Sequence, residues 1–124
     1  MRVLVTGHRG YVGCALLPKL QAAGRVRIPE KRLDIRDVDE AELADVDAVV
    51  HLAALSNDPL GDLAPGVTEA INHVATTRLA SLAKAAGVRR FVFSSSCSVY
   101  GAAGEDWLDE SSPCHPVTPY ATSK

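Results

Sequence analysis

Tyr120 and Lys124, in the stretch "YATSK", stand four residues apart. On a helix this spacing puts both side chains on one face. An ammonium near a phenol favours the phenolate, so such a tyrosine can serve as a base near neutral pH. A tyrosine and a lysine on a surface helix usually have no catalytic role, so the pair needs companions. One is the run "SSSCS", Ser94 to Ser98, at the end of a strand-like stretch. Strand ends also feed polar loops that do no chemistry. The other is "TGHRGYVG", with Gly7, Gly10 and Gly13 spaced G-x-x-G-x-x-G. There Gly7 permits a tight turn, Gly10 lets backbone approach a pyrophosphate, and Gly13 allows close packing of helix on strand. The helix start that follows offers free N–H groups and a positive dipole end to the anion. Arg9, Tyr11 and Val12 stand among the glycines and belong to the same expected contact surface. The context fits a dinucleotide-binding fingerprint, although three glycines can also make no more than a tight strand-to-helix turn.

Alternating segments must position these groups. "MRVLVTG" is an apolar run ended by Gly7 and reads as a buried strand. "YVGCALLPKLQAAG" carries Val12, Ala15, Leu16 and Leu20 on one helical stripe and stops at Gly24; Pro18 within it is a candidate kink. "DAVVHLAAL" reads as a second buried strand. "EAINHVATTRLASLAKAAGV" reads as a long helix with Ile71, Val74, Ala75, Leu79, Leu82 and Ala86 on one face and Gly87 at its end. "RRFVFSSS" is a third buried strand, "LDESSPCHPVTP" a proline-rich loop, and "YATSK" the start of a further helix. Strands that are apolar throughout, separated by amphipathic helices, predict a parallel sheet covered on both faces.

The chain has 124 residues, enough for one domain with one core. Its net charge of −2 gives no case for a nucleic-acid or acidic-membrane partner. Cys14, Cys97 and Cys114 lack paired spacing, so neither a disulfide framework nor a zinc site is expected. Reduced thiols, no signal-peptide pattern and no apolar run near ~18 residues predict a soluble, cytoplasmic protein. His8, His51, His73 and His115 show no ligand spacing, and His51 reads as a satisfied buried histidine. "DVDEAELADVD" reads as an acidic, solvated helix face. Cys114 and His115 are adjacent loop residues, an unsuitable geometry for a nucleophile pair.

Taken in order and spacing, "VTGHRGYVG", "DAVVHLAA", "FVFSSSCSVYG" and "YATSK" resemble the extended short-chain dehydrogenase/reductases, and more narrowly the nucleotide-sugar epimerase/dehydratase family. The resemblance covers nearly the whole chain. It implies a Rossmann-like, doubly wound parallel sheet, NAD as cofactor, and a sugar nucleotide as substrate. It implies Ser96, Tyr120 and Lys124 as the catalytic set, with Lys124 also holding the nicotinamide ribose. It places Leu52, Ala53 and Ala54 beneath the cofactor, although small apolar residues there also suit plain core packing. It matches Asp34 and Ile35 to an adenine-contacting pair, Asn72 to an asparagine near the cofactor, and Ser94 to the cofactor wall. Asp34 also reads as a solvated loop acid, and Asn72 as a loop tie. The family continues well beyond its lysine, so residues 1–124 read as an incomplete NAD(P)-binding domain, truncated at Tyr-x-x-x-Lys and lacking the C-terminal substrate domain. The helix starting at "YATSK" is short enough to need tertiary support.

Between Gly24 and Leu33 lies only "RVRIPEKR", where most family members place a full second strand and more. The segment reads either as an internal deletion or as a compact layout with "VRIP" as a minimal strand, as in sugar-nucleotide reductases of the GDP-fucose synthase and dehydrorhamnose reductase types. Arg25, Arg27, Lys31 and Arg32 would favour NADP, Glu30 would favour NAD, and plain solvated loop charges are the third alternative. NAD stands first because the remaining motifs resemble epimerases. Three functions compete: an NAD(P)-dependent epimerase, dehydratase or reductase of nucleotide sugars, or its cofactor half; a non-catalytic dinucleotide-binding module or truncated pseudoenzyme; and a homo-oligomer formed through an open sheet edge.

Overall fold

The computed structural model describes residues 1–24, 26–27, 34–102, 104 and 107–124. Strand β1 (Val3–Thr6) leads through helix α1 (Tyr11–Ala22) to a two-residue strand β2 (Val26–Arg27). A 3-10 turn (Ile35–Asp37) and helix α2 (Glu40–Leu43) precede β3 (Ala48–His51). Helices α3 (Asp58–Leu63) and α4 (Pro65–Thr68) follow. A π-helical segment, Glu69–Ala75, carries α4 into α5 (Thr76–Ala85), and β4 (Arg90–Phe93) comes next. A second 3-10 turn (Cys97–Tyr100) and α6 (Pro119–Thr122) close the chain. The sheet runs β2-β1-β3-β4 with every pairing parallel. Thus Val26 and Arg27 of "VRIP" form a minimal strand, Val26 paired with Val3 and Arg27 with Leu4.

Alternation along the strands splits the core in two. Leu4 and Val49 face Ile35, Val38, Leu43, Val46, Ala75, Leu79 and Ala83, so α2 and α5 cover that side. Val3, Val5 and Ala48 face the other way, against Leu20 of α1. Helices on opposite faces of one parallel sheet make it doubly wound, as the strand–helix alternation predicts.

Three expectations change. Among the described residues β4 pairs only with β3, its residues alternate between exposed and half-buried, and Val92 is 54% exposed. The long helix starts earlier, at Pro65, and its buried positions are Thr68, Asn72, Ala75, Leu79 and Ala83. The π-helical turn holds extra residues; Val74 within it is exposed, as is Ala86 at the C-cap of α5. On α1 the stripe is shallow: Val12 and Ala15 are exposed, Leu16 and Leu20 half-buried, and the helix runs on through Pro18.

The acidic segment is more than a solvated face. Asp39 caps α2 in a reciprocal box with Glu42, while Val38, Leu43 and Val46 anchor it in the core. Asp47 accepts from the Arg2 backbone N–H and from the Arg89 guanidinium. All three cysteines are free and exposed. No described helix is long and apolar enough to cross a membrane.

Candidate functional site

The chain leaves β1 outward to β2 on one side, and β3 and β4 lie on the other. Such a reversal leaves a crevice beyond the carboxyl ends of the strands. A cleft of about 400 Å³ opens at this point. The loop from Gly7 to Gly13, the stretch Leu52–Ala54, Ser94 and Ser95 after β4, and Tyr120 with Lys124 all line it.

The glycine loop is built as its spacing predicts. Gly7 has φ 67°, in the left-handed region. A Cβ on Gly7 would stand 2.6 Å from the Ala53 nitrogen, so only glycine lets the loop lie against the 52–53 backbone. A Cβ on Gly13 would stand 2.4 Å from the Gly7 carbonyl oxygen, so α1 packs directly on the turn. The Gly10 N–H donates to the Gly7 carbonyl at 2.9 Å. Gly10 gives α1 no side-chain cap. The first-turn N–H groups, which a helix cannot satisfy internally, therefore stand at the cleft with the positive end of the dipole. This cradle suits a phosphate-bearing ligand.

The stretch after β3 is held from behind. Thr6 Oγ1 accepts from the Ala53 N–H at 3.3 Å and bonds His51 Nδ1 at 2.6 Å. His51 Nε2 bonds Thr76 Oγ1 at 2.8 Å. His51 is 1% exposed, and both ring nitrogens have partners, as expected. Burial pushes its pKa down to about 4, and the Lys124 charge adds to this. Asn72 lies in the π-helical segment. It accepts from the Leu55 N–H, and its amide donates to the Leu55 carbonyl, both at 2.9 Å, and to Ser123 Oγ at 3.1 Å. It therefore ties the loop after β3 to α6.

That tie is part of the support a short helix needs. Thr118 Oγ1 caps α6 by accepting from the Ala121 N–H at 3.1 Å and donates to Asp58 of α3. Pro119 fills the first helical position, where a missing N–H costs nothing. Gly61 of α3 lets α6 close in, since a Cβ there would stand 3.0 Å from Tyr120 Cβ. Tyr120 is consequently 8% exposed, and Ala121 and Ser123 are buried. The Lys124 ammonium donates to the Ser94 carbonyl at 2.7 Å and stands 6.0 Å from the Tyr120 ring centre. Burial lowers its pKa.

Of the residues singled out from the sequence, Gly7, Arg9, Gly10, Tyr11, Val12, Gly13, Leu52, Ala53, Ala54, Ser94, Tyr120 and Lys124 line the cleft. Ser96 is not among them. Its hydroxyl accepts from the Ser98 N–H at 3.2 Å and donates to Ser98 Oγ at 3.1 Å, capping the second 3-10 turn. Asp34 caps the first 3-10 turn and holds the Arg36 guanidinium at 2.6 Å, and Ile35 is buried in the core. Arg25, Glu30, Lys31 and Arg32 lie outside the described residues, as does the side chain of Arg27. The cleft also takes in Val5, Thr6, His8, Ser56 and Ser95. Thr6, His8 and Ser95 sit inside quoted motifs and could have been found there; Ser56 follows the apolar run with no signal of its own.

Residues 3–124 match the family model described as the NAD dependent epimerase/dehydratase family. The chain is 33% identical over 145 residues to a UDP-glucose 4-epimerase of Streptomyces lividans, covering 99% of this chain and 44% of that protein. Among solved structures, MoeE5 in complex with UDP-glucose and NAD superposes with a TM-score of 0.91 at 31% identity, covering 99% of this chain and 45% of that one. RMD from Pseudomonas aeruginosa complexed with NADPH gives 0.80 at 35% identity, over 100% and 46%. The chain thus spans less than half the length of these relatives.

Proposed function

The chain belongs to the NAD-dependent epimerase/dehydratase family, and from that premise we propose that it is the NAD-binding part, residues 1–124, of a nucleotide-sugar epimerase or dehydratase. The observation that carries this reading is one cleft lined jointly by the glycine loop, the 52–54 stretch, Tyr120 and Lys124. The glycine loop and the α1 N-terminus hold the cofactor's pyrophosphate. Leu52, Ala53 and Ala54 support it from below. Asp34 and Ile35 serve its adenine end, Ile35 through its backbone, since its side chain belongs to the core. Bound nicotinamide supplies the hydride chemistry. Tyr120 takes and returns the proton of the reacting sugar hydroxyl. Lys124 places a positive charge beside the phenol and holds the cofactor ribose. Ser96 reaches the sugar only by giving up its bonds to Ser98. A cytoplasmic location accords with three free thiols. Pairing of two copies through the open edge of β4 belongs to the same reading, and sedimentation at high concentration decides it.

NAD is the first choice of cofactor. NADP is the alternative, supported by the exposed Arg9 in the cleft and by the NADPH-bound relative. A second reading, a dinucleotide-binding module without turnover, draws on the placement of Ser96 outside the cleft. Calorimetry with NAD and NADP tests both readings, and absence of saturable binding to either would refute them. Turnover of UDP-, dTDP- and GDP-sugars separates them. If turnover occurs, Tyr120→Phe should abolish it and leave binding intact; undiminished turnover in that variant removes Tyr120 from the chemistry.

A further inference from the structure

The lysine of the reactive pair rests on an aromatic column. Phe93 ends β4 and is the register partner of His51 on β3. Their rings lie 5.9 Å apart and 23° from parallel. The Lys124 ammonium stands over the same Phe93 ring, 4.8 Å from its centre. This is within the range where a ring face attracts a cation. His51 is itself fixed by Thr6 and Thr76 and packs against Phe91 at 5.9 Å. Phe93 therefore has a rigid support beneath it and the lysine over its face.

We propose that Phe93 is a positioning residue for Lys124, its ring face seating the ammonium at the cleft beside the Ser94 carbonyl. The functional part of this inference rests on Lys124 belonging to the reactive pair. The contact between ring and ammonium is independent of that role. Lysine is a point charge on a four-carbon stem with many rotamers. One hydrogen bond to Ser94 fixes its distance from the strand but leaves the stem free to swing. A ring face adds a second, broad attraction that needs no particular proton direction. Leucine in place of phenylalanine keeps apolar bulk but removes the quadrupole on which that attraction depends.

The test uses the whole chain labelled at lysine. A ring face shields nearby protons, so the Lys124 side-chain resonances should lie upfield of those of Lys84, which is on the surface helix α5. Phe93→Leu should return them to ordinary positions, and Phe93→Tyr should keep them shifted. Calorimetric affinity for NAD should fall about two- to five-fold in Phe93→Leu and stay near wild type in Phe93→Tyr. Phe93→Met is the second non-aromatic variant should the leucine protein fail to fold. Unchanged Lys124 shifts in the non-aromatic variants would overturn the seat. Lost shifts with unchanged affinity would overturn its positioning role. A wild-type protein that binds neither NAD nor NADP would defeat the proposed function, while the shift comparison would still decide whether Phe93 seats the lysine.

Discussion

Lowering the pH from 6.5 to 4 is expected to cost this domain about 3 kcal/mol through His51. The unfolded chain takes a proton on this imidazole at 6.5, whereas the folded protein, which buries it, holds it neutral down to about 4. Between those values the unfolded state binds more protons, so stability falls as pH falls. The full contribution is present above 6.5, and its loss is complete below about 4. The shift from 6.5 to about 4, at ~1.4 kcal/mol per pH unit, gives about 3 kcal/mol. That is a large share of the ~5–15 kcal/mol that holds a typical domain together. Protonation also fixes the hydrogen-bond direction at both ring nitrogens. A charged ring donates from both nitrogens, so Thr6 would have to accept from Nδ1 as well as from the Ala53 N–H. Urea denaturation followed by circular dichroism at steps from pH 7 to pH 4 reads the slope. His51→Gln, which has no proton to take, should flatten it by about the same amount. Carboxylates add to the slope at the acidic end of this window. The Arg2 backbone N–H and the Arg89 guanidinium hold Asp47 below its ordinary value of 3.8, and the Ser111 hydroxyl and N–H do the same for Asp109. Their stabilisation is lost progressively from about pH 5 downward, in wild type and His51→Gln alike, so the difference between the two proteins isolates the imidazole. A wild-type slope within about 1 kcal/mol of flat, or an equal slope in His51→Gln, would refute the argument.

Two further outcomes follow from single contacts. Gly7→Ala forces a Cβ to within 2.6 Å of the Ala53 nitrogen at φ 67°; it should cost about 2–4 kcal/mol and remove saturable dinucleotide binding, and a wild-type denaturation midpoint would count against the cradle. Thr118→Ala removes the cap of α6; a loss of about 1 kcal/mol should speed hydrogen exchange at the Ala121 amide about five-fold, and unchanged protection would mean that packing alone holds the helix.

Much of the fold was legible in the sequence because its signals are local. Val3 to Thr6 and Ala48 to His51 are short, β-branched apolar runs bounded by turn residues, which suits a strand buried on both faces. Gly7 and Gly13 state a backbone demand that any structure must meet in the same way. The parallel sheet with helices on both faces, and the glycine turn after its first strand, follow from these. The misreadings arise where burial depends on neighbours. "RFVF" is as apolar as the inner strands, yet among the described residues β4 has a neighbour on one side only, and the number of neighbours is a property of the sheet rather than of the segment. Val74 fell off the predicted stripe because one π-helical turn changed the period, and nothing in the residue types marks that turn.

The site divides in the same way. By itself the sequence determined the identities: glycines for the cradle, a tyrosine and a lysine four apart, serines at a strand end. Tertiary structure decided their use. Ser96 caps its own turn while Ser94 and Ser95 line the cleft. α6, Pro119–Thr122, is far below the length at which a helix stands alone. It is ordered by partners distant in the chain: Asp58 on its cap, Gly61 against Tyr120, Asn72 on Ser123 and Phe93 under Lys124. Spacing along a chain can put two side chains on one helical face, but only packing decides whether that helix forms and which way the face is turned.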